Sequence, residues 1–231
     1  LQLAQGSFAA FGQGGSLSPD GQLFVVSGGN VYFPVSGQSA TQVSTTSFNE
    51  DGFIYRPLGN YIYALSRSSV AQTVLRASPP YTSFGSIGVV STDTIPLQDA
   101  VVNNGTLYAC GTFGNLYRTS NGTSWSAASN PLVASYFRLY ALNGTMWAYP
   151  GTLADGALNQ YSTNGGNDWL QGTTTAPGIT LTGFMSGPQF DGKLWAVTGT
   201  GTGDSQDDVA SSTNGSTWTA VSTDAGFNTP A

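Results

Sequence analysis

Apolar residues in this chain come in short runs, broken by turns rich in Gly, Asn, Ser and Thr. The segment 99–128 shows the pattern. Asp99-Ala-Val-Val-Asn103 reads as a strand, A, and Asn104-Gly105 as a two-residue hairpin turn in which Gly accepts a positive φ. Leu107-Tyr-Ala-Cys-Gly111 reads as strand B and, after a loop, Leu116-Tyr-Arg-Thr119 as strand C. Asn121-Gly122 is a second tight turn, and Trp125-Ser-Ala-Ala128 is strand D. The spacing predicts a four-strand antiparallel meander.

The meander repeats. Tyr117-Arg-Thr-Ser-Asn-Gly-Thr-Ser-Trp125 aligns with Tyr161-Ser-Thr-Asn-Gly-Gly-Asn-Asp-Trp169 and with Val209-Ala-Ser-Ser-Thr-Asn-Gly-Ser-Thr-Trp218. A second motif precedes each: Asn104-Gly-Thr-Leu-Tyr108, Asn143-Gly-Thr-Met-Trp147 and Asp191-Gly-Lys-Leu-Trp195. It occurs earlier as Asp20-Gly-Gln-Leu-Phe24 and, more loosely, as Gly59-Asn-Tyr-Ile-Tyr63. The turn glycines 21, 59, 105, 144 and 192 are 38 to 48 residues apart. Five units follow, over about 8–45, 46–88, 89–130, 131–173 and 174–222. Repeats of ~40–50 residues with four strands each mark β-propeller blades. The expected fold is therefore all-β: a single propeller domain of five four-stranded blades.

The Trp-bearing segment resembles the Asp-box (BNR) signature Ser-x-Asp-x-Gly-x-Thr-Trp, and the whole unit is similar to an Asp-box or kelch-like blade. The box is recognisable in units three to five, where Asn121, Asn164 and Asn214 stand at its acidic or amide position. The resemblance implies a structural turn between the outer strands, carried by Asn121, Gly122, Trp125, Asn164, Gly165, Trp169, Asn214, Gly215 and Trp218. The Trp rings are expected to fill the space between neighbouring blades.

In a four-strand meander the A–B and C–D turns share one face, and the B–C and D–A connections share the other. Here the first set is short and uniform and the second varies. Binding residues usually sit on variable loops held by a rigid scaffold. Candidate ligand-binding residues on these loops are Arg67, Phe113, Tyr149, Asp155 and Asp204. For any single one of them, an ordinary solvated loop residue is the plainer reading.

Composition narrows the chemistry. Charged residues are 8%, with six basic against twelve acidic and a net charge of −6. That is too few cations for a nucleic-acid footprint. Histidine is absent, which removes Ser-His triads and His metal sites. The one cysteine, Cys110, reads as a small buried hydrophobe. No stretch approaches the ~20 apolar residues of a membrane-spanning helix, so no membrane insertion is expected. The aromatic content of 12% argues against disorder.

Gly203-Asp-Ser-Gln-Asp-Asp208 offers Asp204, Asp207 and Asp208 as hard oxygen donors for Ca²⁺, without the loop of an EF-hand. A solvated acidic loop is the plainer reading of the cluster, and no other cofactor is expected. Sialidases are Asp-box enzymes, and that resemblance implies three substrate-binding arginines and a Tyr–Glu pair. This chain lacks the family's N-terminal arginine motif, and Glu50 is its sole Glu. No spacing singles out the two carboxylates of a glycosidase.

Three readings of function remain. The leading one is a non-catalytic, lectin-like or adhesin-type module outside the cell or at its surface, recognising a glycan or a protein surface partner. The second is a structural subunit of a virion, tail or surface filament, part of a larger surface assembly. The third is a glycan-active enzyme. Ring closure is expected through Leu1-Gln-Leu-Ala4, paired as an extra outer strand on unit five.

Overall fold

The computed structural model describes residues 16–17, 23–27, 30–36, 39–44, 53–70, 72–79, 81, 83–128, 137–150, 152–182, 185–186, 191–197 and 209–222. All their regular structure is β. Leu1–Ala4 and the acidic residues Asp204, Asp207 and Asp208 lie outside the described residues, and with them the closure strand and the Ca²⁺ site.

Five four-stranded antiparallel sheets follow one another along the described chain. The first holds β1 (Ser16–Leu17), β2 (Leu23–Ser27), β3 (Asn30–Ser36) and β4 (Ser39–Ser44). The second holds β5 (Phe53–Leu58), β6 (Tyr61–Ser66), β7 (Thr73–Ala77) and β8 (Gly85–Val89). The third holds β9 (Leu97–Asn103), β10 (Thr106–Gly111), β11 (Leu116–Thr119) and β12 (Ser126–Ala128). The fourth begins with β13 (Phe137–Leu142) and β14 (Thr145–Pro150). The chain then leaves it for β15 (Thr152–Ala154) and returns as β16 (Leu158–Ser162) and β17 (Leu170–Thr173). β18 (Thr180–Thr182) pairs with β15 as a separate ribbon. The fifth sheet holds β19 (Met185–Ser186), β20 (Leu194–Val197), β21 (Val209–Ser212) and β22 (Thr219–Ser222). Within each four-stranded sheet the strands lie in chain order, so each is a meander.

The A–B turns have the expected chemistry. Asn104 and Gly105 have φ of 48° and 71°, Asn143 and Gly144 of 51° and 82°, and Asp191 and Gly192 of 52° and 66°. Two successive positive φ values define the hairpin turn whose twist matches its strands, and Asn-Gly or Asp-Gly reaches it at least cost.

The chain packs as two compact units, Leu1–Ala109 with Tyr117–Ser126, and Cys110–Leu116 with Ala127–Ala231. In the first, strand β6 is buried on both faces. Ile62 and Ala64 join Tyr55, Leu75, Ala77, Tyr81 and Phe84 in one apolar cluster. Their neighbours Tyr63 and Leu65 join Ile54, Val74, Leu97, Ala100, Leu107 and Ala109 in another, which reaches the third sheet. Alternate residues of a strand face opposite ways, so an unbroken apolar run is what a sheet covered on both sides needs. Burial fades outward: β8 and β12 are mostly exposed.

Arg56 ties the second sheet to the third. Its Nε donates to the Ala100 carbonyl at 2.5 Å, and its guanidinium reaches Asp99 Oδ1 at 3.0 Å. The same carboxylate accepts from Ala100 N at 2.8 Å. Asp99 is buried, so deleting only the arginine strands a carboxylate away from water. Broken buried pairs cost about 3–5 kcal/mol, and Arg56 is itself partly exposed, so Arg56→Met is expected to cost somewhat less, ~2–3 kcal/mol, in urea unfolding.

In the second unit one apolar cluster joins the fourth and fifth sheets. Tyr140, Leu142, Trp147 and Tyr149 of the fourth sheet meet Leu194, Ala196, Ala210 and Trp218 of the fifth, with Leu153, Ala176 and Ile179 from the connections. Tyr149, expected on a B–C loop, lies instead in β14 with no exposed surface. It cannot reach a surface ligand. The strand runs on to Pro150, which ends it without needing an N–H. Within the loop expected over 149–156, residues 152–154 form β15, which pairs with β18 through Leu153↔Leu181.

Candidate functional site

Three C–D turns carry the repeated signature, and each is built around one asparagine. Asn121 Oδ1 accepts from the backbone N–H of Thr123 and of Ser124, both at 2.9 Å. Asn214 Oδ1 accepts from Ser216 N at 3.0 Å and Thr217 N at 2.8 Å. Asn164, in a turn one residue longer, accepts from Asp168 N at 3.0 Å, and its Nδ2 donates to Asp168 Oδ2 at 2.8 Å. A hydroxyl two residues before each asparagine completes the turn. Thr119 Oγ1 accepts from Gly122 N at 2.8 Å, Ser212 Oγ from Gly215 N at 2.8 Å, and Ser162 Oγ from Gly166 N at 2.9 Å. The Ser/Thr-x-Asn-Gly spacing carried this signal, since short polar side chains close such turns on their own backbone.

The box glycines have a steric role besides their positive φ. A Cβ on Gly122 would fall inside the Tyr63 ring, and one on Gly215 inside the Trp147 indole. Tyr63 and Trp147 hold the same place in the B strand of the preceding sheet. Each of these turns thus sits on an aromatic platform supplied by its neighbour. Tyr63 also donates its phenol proton to the Asn121 carbonyl at 3.1 Å.

The tryptophans are not equivalent. Trp218 is 1% exposed, edge-on to Tyr140 and Tyr149, and its Nε1 donates to Tyr149 Oη at 3.0 Å. Trp125 is half-buried against the cluster shared by the second and third sheets. Trp169 is half-buried beside β17.

A polar chain runs through the second unit's core. Thr174 hydrogen-bonds the Tyr149 phenol, and Asn159 Nδ2 donates to Thr174 Oγ1 at 2.9 Å. Burial pushes the Tyr149 phenol far above the ordinary tyrosine range, against smaller opposing contributions from Trp218 and Thr174. A folded chain therefore keeps this proton where an unfolded one loses it. The resulting stability is complete below the unfolded tyrosine value of about 10 and is lost as pH rises beyond it, by up to about 1.4 kcal/mol per pH unit for one proton. Urea titrations at pH 8 to 11 are expected to show this alkaline decline, and Tyr149→Phe to flatten it.

The remaining candidate residues are Arg67, Asp155 and Phe113. Arg67 is half-buried and donates to the Gln98 carbonyl at 3.0 Å. Asp155 is exposed, but its Oδ1 accepts from Ala176 N at 2.9 Å, which pins the ribbon to the connection after β17. Phe113 is 65% exposed on the β10–β11 loop. That loop is closed by Gly111 N donating to Asn115 O at 2.8 Å and Gly114 N to Gly111 O at 3.1 Å. Sequence reasoning missed Val70, which is 86% exposed on the β6–β7 loop. Hydroxyls hold that loop as well: Ser66 Oγ accepts from Ser68 N and Ser68 Oγ from Val70 N. Among the described residues no group of three or more His, Cys, Asp or Glu is placed to hold a metal.

No family model matches the chain, and no curated protein matches it in sequence. Solved structures do resemble it. YjhT is 12% identical, covers 97% of this chain and 87% of its own, and has a TM-score of 0.66. Virginiamycin B lyase from Staphylococcus aureus is 10% identical, over 89% of this chain and 68% of its own, with a TM-score of 0.59. YCF48 bound to D1 peptide is 14% identical, over 86% and 76%, with a TM-score of 0.51. The fold is a β-propeller. At such identities the likeness extends to the fold alone, because one scaffold hosts many functions.

Proposed function

We propose that this propeller is a non-catalytic binding module, working outside the cell or at its surface, whose B–C and D–A connections engage a glycan. Its five sheets are taken as the five blades of one domain. The observation that carries the reading is Phe113, an aromatic ring 65% exposed on a loop braced by its own backbone bonds. Aromatic side chains lose little entropy on binding, and a ring face suits the apolar face of a sugar. The non-catalytic reading is supported by the carboxylates with assigned partners: Asp99 is held by Arg56, and Asp155 holds a backbone amide.

A protein partner is the second reading. Val70, almost fully exposed and with its N–H bonded to the Ser68 hydroxyl, favours it, and a propeller of similar fold, YCF48, is known with a bound peptide. No cofactor enters either reading. Ca²⁺ would be drawn in only through Asp204, Asp207 and Asp208, and loss of binding in EDTA is the result that would assign it.

A glycan array and an immobilised peptide library, each probed with the native protein and with Phe113→Ser, test the proposal. The expected result is a glycan signal that the substitution weakens at least about tenfold, the size of one lost aromatic anchor, with the melting temperature unchanged. A peptide signal lost in the same variant, or in Val70→Ser, transfers the site to the second reading. Glycan binding indifferent to Phe113→Ser removes this loop from the site.

A further inference from the structure

Five Asn-Gly pairs occur in this chain, at 104, 121, 143, 164 and 214. The structure divides them into two classes. Asn121, Asn164 and Asn214 have their side-chain oxygens fixed by backbone N–H groups of the following residues. In the turns at 121 and 214 the next glycine's N–H is itself bonded to the preceding hydroxyl. Asn104 and Asn143 are exposed at hairpin tips, and their side chains make no hydrogen bond among the described residues.

We propose that Asn104 and Asn143 are the folded protein's sites of spontaneous deamidation, and that the three box asparagines are held back by their own turn. In the reaction the backbone nitrogen of the following glycine attacks the asparagine Cγ. The nitrogen's proton goes to solvent base, ammonia leaves, and a cyclic succinimide remains. Water then opens either carbonyl, giving aspartate or isoaspartate, so one water is consumed and one ammonia released. The step needs a side chain able to swing onto the next amide, and engaging that amide elsewhere slows it further. In the three box turns the side-chain oxygen is held, and at 121 and 214 the glycine amide is bonded as well. At 104 and 143 the side chain makes no hydrogen bond among the described residues.

The two products differ in consequence. Asp191 already occupies the same hairpin position in the fifth sheet, with φ of 52°, so aspartate at 104 or 143 keeps the turn. Isoaspartate adds a backbone carbon and breaks a two-residue loop whose pairing runs Leu142↔Thr145. The modification thus adds a negative charge at one hairpin or loosens it.

Incubating the folded protein at pH 8.5 and 37 °C (conditions under which succinimides form), then mapping peptides by mass spectrometry with isoaspartate labelling, tests this. Asn104 and Asn143 are expected to convert roughly tenfold or more faster than Asn121 and Asn214, since two backbone hydrogen bonds must break at each of the latter. In urea, with every pair followed by glycine, all five are expected to react at similar rates. Ser212→Ala, which releases Gly215 N, should raise the rate at Asn214 severalfold while the chain stays folded. Equal rates at all five sites in the folded chain, or conversion at the box sites first, would overturn the proposal. So would unreactive Asn104 and Asn143 in the folded chain when the urea control reacts.

Discussion

Trp218→Ala is expected to lower the folding free energy by about 3–5 kcal/mol, the usual range for emptying a buried tryptophan site. Trp218 joins the fourth and fifth sheets through Tyr140, Tyr149, Leu194 and Ala210. Its loss also removes the N–H donor to the buried Tyr149 phenol. Trp218→Phe keeps most of the apolar volume and drops the donor, so it should recover most of the stability but not all. Urea unfolding of the three proteins checks this. A loss under about 1 kcal/mol for the alanine variant would mean that the two sheets do not depend on this ring.

Gly215→Ala is expected to be nearly as damaging, which is unusual for so small a change. Two effects add. At φ of 71° a Cβ is strained by about 1–2 kcal/mol, and the methyl meets the Trp147 indole in a packed region, which typically costs a further ~1–3 kcal/mol. Gly105→Ala separates the effects, because Gly105 also has φ of 71° but open space around it. That variant should lose only the first part. Gly122→Ala, over Tyr63, should follow Gly215→Ala. Thermal melts in which Gly105→Ala and Gly215→Ala fall together would show that conformation alone, without the aromatic platform, explains these glycines.

Much of this architecture was legible because its turns are chemically explicit. Asn-Gly before an apolar run specifies a hairpin, and its recurrence reveals a repeat without any long-range information. Leu116-Tyr-Arg-Thr119 reads as strand C of the third sheet from its four residues, and the strand has those bounds. What escaped was set by tertiary neighbours. Tyr149-Pro-Gly reads as the start of a loop, since proline and glycine punctuate chains, yet the sheet continues to Pro150. Leu153 and Leu181 are far apart in sequence, so nothing local announced that two connections would pair. The glycines of the box read as turn residues, while the ring pressed against them comes from a residue 59 or 68 positions away. The candidate site was the least legible part. A loop side chain's role depends on what reaches it from elsewhere, as with Asp155, whose carboxylate proved to hold the Ala176 amide.

The β15–β18 ribbon has a consequence for how new recognition could arise on this scaffold. Inserting one residue within 152–154 shifts the register, and a one-residue slip turns every side chain of a strand to its opposite face. Leu153 would leave the core. The two connections of the fourth sheet can therefore change only in concert, and randomising either by itself should yield mostly insoluble clones. The Gly111–Asn115 loop, by contrast, is closed by backbone bonds of its own, so substitutions at its exposed tip, Phe113, are expected to leave the turn in place. A display library, or natural diversification, would find its room there.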